Sequence, residues 1–71
     1  MPKLYSSNQI SNVLKKFNFT LVSQKGSHGK FKNSSGKTLI LPMNKKEIPI
    51  GTFKSILKQA EISQKDFKDN V

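Results

Sequence analysis

The chain carries one histidine, His28, within a run suited to phosphate chemistry: Lys25-Gly26-Ser27-His28-Gly29-Lys30-Phe31-Lys32. Imidazole titrates near neutral pH, so His28 is the natural candidate for a general base or acid. The ammonium groups of Lys25, Lys30 and Lys32 can balance charge on phosphate oxygens. Gly26 and Ser27 mark a tight turn, where glycine lets backbone N–H groups approach a phosphate closely. Strand alternation decides how the rest is aimed, because successive side chains point to opposite faces. With Phe31 turned to a core, Gly29 shares its side, and His28, Lys30 and Lys32 share the other. The plain alternative is an ordinary hairpin turn followed by a surface histidine.

Charge placement points the same way. The 71 residues carry a formal net charge of +9. Residues 1–46 hold nine lysines and no acid, whereas residues 47–71 hold four lysines and four acids, Glu47, Glu61, Asp66 and Asp69. A one-sided basic field draws polyanions: nucleic acid, anionic membrane or an acidic protein. Every basic residue is lysine. Lysine meets phosphate as a point charge and lacks the fork that reads guanine edges, which favours backbone contact over duplex sequence reading.

Composition excludes several classes. Without cysteine there is no disulfide framework and no thiolate zinc site. The four acids lie outside the basic region and form no sequence cluster, so neither a metal nor a cofactor is expected. No apolar run approaches the roughly 20 residues of a membrane span. The opening residues MPKLYSSNQ lack the apolar stretch of a signal peptide, so the expectation is a cytoplasmic protein with no membrane partner.

The elements that must position His28 follow from periodicity. Over residues 6–17, Ile10, Val13, Leu14 and Phe17 make one helical stripe, and Ser6 with Gln9 fits a capping box. Residues 19–25, 28–33 and 37–41 read as strands, the last ending at Pro42, and their short links imply antiparallel hairpins. Residues 44–50 read as a loop. A second helix is expected from near Gly51-Thr52, with Phe53, Ile56, Leu57 and Ala60 as its stripe. Ser63 and Asp66 suggest a short last helix over 64–68, anchored by Phe67. Residues 1–71 thus read as one α+β domain, a two-layer sandwich. Both main helices cover one face of a three-stranded antiparallel sheet, and the other face is open to solvent or a partner.

The run Gln24-Lys25-Gly26-Ser27-His28-Gly29-Lys30-Phe31 resembles the hallmark of the HicA family, toxins of bacterial and archaeal toxin–antitoxin pairs. A second run, Gly51-Thr52-Phe53-Lys54-Ser55-Ile56-Leu57-Lys58-Gln59-Ala60, resembles the same family, as does the proline closing the third strand, Pro42. The resemblance covers about residues 6–67. It implies an mRNA-cleaving ribonuclease with a double-stranded-RNA-binding-domain-like fold, order α-β-β-β-α, neutralised by direct binding of a HicB antitoxin. It also implies that His28 is the catalytic residue. Many relatives have a second histidine just after the third-strand proline, where this chain has Asn44. Some double the histidine of the triplet, where it has Gly29.

Together these residues suggest RNA cleavage through the 2′-OH. His28 would be general base, and Lys25, Lys30, Lys32 and the backbone at Gly26 and Ser27 would hold the phosphate. Two other readings compete. One is a non-catalytic RNA-binding module of the same fold, which the missing second histidine favours. The other is an interaction protein whose basic face serves only an acidic partner. An antitoxin is expected to cover the His28 face with an acidic surface, or to add a strand to the open sheet edge.

Overall fold

The computed structural model describes residues 3–71. Helix α1 (Ser7–Lys16) leads into strands β1 (Phe19–Lys25), β2 (His28–Asn33) and β3 (Thr38–Pro42), then helices α2 (Ile50–Ala60) and α3 (Gln64–Asn70). The strands form an antiparallel sheet in the order β1-β2-β3. The α+β class and the element order are those the sequence predicts.

Local chemistry explains the helix ends. Ser6 Oγ accepts from the Gln9 N–H at 3.1 Å, and Gln9 Oε1 accepts from the Ser6 N–H at 3.0 Å. That reciprocal pair satisfies two donors the first turn leaves orphaned. Lys15 and Lys16 occupy the last turn of α1, where cations suit the helix dipole. Asn18, at φ 69°, then turns the chain into β1, a left-handed position asparagine tolerates. Helix α2 begins at Ile50, slightly before the expected start, with Pro49 as its N-cap. Proline suits the opening of a helix, because its missing N–H would have no intrahelical acceptor there. Ser63 Oγ accepts from the Asp66 N–H at 3.0 Å to start α3, which runs on to Asn70 rather than stopping at residue 68.

The core lies between one sheet face and the helices. Ile10, Val13 and Leu14 of α1 meet Phe19, Phe31, Leu39 and Leu41 of the sheet and Phe53, Ile56, Leu57 and Ala60 of α2. Phe67 is the one buried residue of α3. Its ring sits edge-on to Tyr5 and Phe53, both with centroids at 4.8 Å. Three core members fall outside any periodic segment. Tyr5 precedes α1, the fully buried Ile48 lies in the segment expected to be a plain loop, and Ile62 lies in the link between α2 and α3.

That segment is held down by Ser7, a buried polar residue with two partners. Ser7 Oγ donates to the Pro42 carbonyl at 2.6 Å and accepts from the Lys45 N–H at 3.0 Å. The Ser7 N–H donates to the Lys45 carbonyl at 3.0 Å. One hydroxyl thus ties the start of α1 to the end of β3 and the loop beyond. Ser7→Ala strands a carbonyl and an N–H in a partly buried site. It should cost about 1–3 kcal/mol, read as a lower midpoint in urea unfolding with the slope unchanged.

Candidate functional site

The candidate site is built on the sheet face that the helices leave open. Along β2, Gly29 and Phe31 are buried while His28, Lys30 and Lys32 are exposed, so the alternation falls as expected. Residues directly opposite one another in an antiparallel pair share a face. The register therefore assembles three rungs on the open side. The first is Lys25–His28–Pro42, the second Ser23–Lys30–Ile40, and the third Thr20–Lys32–Thr38. The central column is His28, Lys30, Lys32. Lys25 sits directly across from His28, at a Cβ separation of about 4.5–5.5 Å by pair geometry.

A bulge in β1 makes this arrangement. The pairing of β1 with β2 shifts between Leu21 and Ser23. Counted by strict alternation from the buried Phe19, the residues Leu21, Ser23 and Lys25 would all turn toward the helices. The extra residue, Val22, reverses the phase. Leu21, opposite Phe31, stays on the helix side, while Ser23 and Lys25 turn to the open face. Sequence reasoning named Lys25 as a phosphate contact but did not find Ser23 or Thr20 beside the lysine column. Nothing in Phe19–Lys25 marks a bulge, because no glycine or proline interrupts it.

The turn before His28 is as tight as the sequence suggests. Gly26 has φ +59°, and no positive φ occurs at Ser27, which fits a two-residue hairpin with glycine first. The Ser27 carbonyl accepts from the Met43 N–H at 2.6 Å, extending the sheet by one bond past Pro42. Asn44 follows immediately, exposed and at φ 61°, so it flanks the Gly26-Ser27 turn. Gly29 lies on the opposite side of the sheet from His28. A Cβ there would stand 3.0 Å from Leu21 Cδ1 and from Met43 Cγ and Sδ, so a histidine at this position would not join the His28 column.

Electrostatically the face is uniformly positive. The two ion pairs among the described residues, Lys37–Glu61 and Lys65–Asp69, leave Lys25, Lys30 and Lys32 without an acidic partner. Exposed pairs of this kind add little to stability. Among the described residues no group of three His, Cys, Asp or Glu side chains converges as a metal site. No described helix is long and apolar enough to cross a membrane. What the arrangement can do chemically is hold a phosphate-bearing chain against one imidazole and three ammonium groups.

The comparisons with known proteins fit this geometry. A search of curated proteins finds no match. The family model described as the HicA toxin of bacterial toxin–antitoxin systems matches residues 7–62, from the first residue of α1 to the residue that follows the C-cap of α2. The match takes in the whole sheet, the Gly26-Ser27-His28 turn and both main helices. With most of its length matched, this chain belongs to the HicA toxin family, the toxin half of a bacterial toxin–antitoxin pair.

Proposed function

We propose that this toxin is a metal-independent endoribonuclease that cleaves RNA through the 2′-OH, with His28 as general base. The observation that carries the reading is the first rung. His28 stands on a solvent-open sheet face with Lys25 across from it and Lys30 next along its column. Neutral imidazole takes the 2′-OH proton. The 2′-oxygen then attacks phosphorus, the bond from phosphorus to the 5′-oxygen breaks, and the leaving oxygen takes a proton from the imidazolium or from water. The products are a 2′,3′-cyclic phosphate and a 5′-OH. Lys25 and Lys30 balance the charge that gathers on the phosphoryl oxygens, with the backbone at Gly26 and Ser27 close by.

Because RNA supplies the nucleophile and lysines supply the positive charge, no step calls for a metal ion. Cleavage should persist in EDTA, and the fragments should carry cyclic phosphate ends on mass spectrometry. Loss of activity on chelation, or 5′-phosphate ends, would contradict the mechanism.

A toxin of this family has an antitoxin partner. We assign it as a HicB-type protein that lays an acidic surface on the lysine face, excluding RNA and covering His28 together. In the complex the His28 ring should lose its solvent exposure. An NMR titration in which bound and free toxin show the same ring accessibility would rule out occlusion.

A further inference from the structure

We infer that the open face is a track for one extended RNA strand, with phosphates on the β2 column and ribose 2′-hydroxyls read by Ser23 and Thr20 of β1. The inference rests on the proposed ribonuclease reading and extends it to how the substrate lies. Two residues of strand advance about 6.6 Å, close to the separation of neighbouring phosphates on one nucleic-acid strand. The column therefore fits three successive phosphates, the scissile one at His28 between Lys25 and Lys30 and the next two along Lys30 and Lys32.

Beside each lysine of the column stands a hydroxyl on β1: Ser23 by Lys30 and Thr20 by Lys32. The bulge at Val22 is what allows this, since residues three apart would otherwise face opposite ways. Neighbouring strands lie about 4.8 Å apart, so the hydroxyls form a second line parallel to the cations. A hydroxyl both donates and accepts, which matches the 2′-OH, the group that distinguishes RNA from DNA. Thr20 Oγ1 donates to the Lys32 carbonyl at 3.4 Å, leaving its lone pairs to accept. At this end Thr20, Val22 and Lys32 line an open hollow with Asn18, Asn33 and Ser34, giving a nucleotide room to lie.

The face has neither an exposed Phe, Tyr or Trp nor an arginine with which to read bases. Tyr5, Phe19, Phe31, Phe53 and Phe67 are buried and Phe17 is packed against the core, so the described residues offer no stacking platform. Without arginine the fork that recognises guanine is missing as well. A duplex presents two phosphate strands across a wide minor groove, whereas this face carries a single cationic column. The track thus selects ribose over deoxyribose and one strand over two, with little regard for base sequence.

The test uses the full chain carrying His28→Ala, so that RNA survives the measurement. Fluorescein-labelled single-stranded RNA, DNA of the same sequence and an RNA duplex are titrated by fluorescence anisotropy. Single-stranded RNA should bind tightest, with similar affinity across unrelated sequences. Adding Ser23→Ala and Thr20→Val should shrink the RNA-over-DNA ratio about threefold to tenfold per hydroxyl, leaving DNA affinity unchanged. Thr20→Ser, which keeps the hydroxyl, should keep the ratio. Lys30→Ala and Lys32→Ala should weaken RNA and DNA alike, each lowering the log–log salt slope by about 0.7. Equal binding of RNA and DNA by the parent would overturn the inference, as would tighter binding of the duplex or strong sequence preference. Loss of both ligands in the hydroxyl variants, or an unchanged ratio, would overturn it too. If the unmodified chain fails to cut RNA yet the ratio behaves as stated, the reaction is wrong and the track stands.

Discussion

Replacing His28 with alanine should abolish RNA cleavage while the fold and RNA binding survive. The loss should reach at least the ~10²–10⁴-fold that a positioned general base supplies. Structure should be spared because the His28 side chain is exposed and makes no side-chain hydrogen bond among the described residues. Changes at such sites usually move stability by less than about 0.5 kcal/mol. Binding should be spared because Lys25, Lys30 and Lys32 still line the face. The checks are gel-resolved cleavage, anisotropy with labelled RNA and thermal unfolding by circular dichroism. Cleavage retained in the variant would remove His28 from the chemistry. No cleavage by the unmodified chain, with binding intact, would instead support a non-catalytic RNA-binding module, the reading favoured by Asn44 in place of the second histidine that the family resemblance implies.

Three residues along the same strand the outcome should reverse. Phe31 is fully buried at the centre of the sheet, opposite Leu21 on one side and Leu39 on the other. Phe31→Ala removes most of a ring from the middle of the core and should cost about 3–5 kcal/mol. A chain of this size rarely has more than about 3–5 kcal/mol in hand, so the variant should be largely unfolded at room temperature. The expected readout is collapsed dispersion in the amide NMR spectrum and loss of a cooperative thermal transition. Cleavage should vanish with the structure, whereas in His28→Ala it vanishes with the structure intact. A cooperative, native-like Phe31→Ala protein would show that the sheet is held elsewhere, by α1 and α2 directly. The pair separates chemistry from architecture on one strand of six residues.

Much of this was legible in the chain itself. The stripe of Ile10, Val13 and Leu14, the Ser6–Gln9 box and the Phe53–Ala60 stripe place two helices because local periodicity and capping act within a few residues. Phe31 turned inward puts His28, Lys30 and Lys32 on one face, since alternation in β2 is unbroken. Ile48, Tyr5 and Ser7 were not legible as core or clamp. Tyr5 and Ile48 sit outside any periodic pattern, Ser7 is a polar residue in phase with the α1 stripe, and all three are buried by contacts with segments far along the chain. Ser7 meets Pro42 and Lys45, partners that only the closed fold brings to it.

The sequence by itself determined the order of elements, the concentration of lysine in the first two-thirds and the alignment of His28 with Lys30 and Lys32. Those depend on residue type and spacing alone. Tertiary structure decided which groups stand beside that column. The bulge at Val22 arises from how β1 pairs with β2, a relation between two strands that neither encodes alone. It turns Lys25 toward His28 and Ser23 toward Lys30, onto the face where Thr20, ahead of the bulge, already stands beside Lys32 by plain alternation. A single inserted residue reverses the phase of everything after it, so the second line of the site could be known only once the two strands were seen paired.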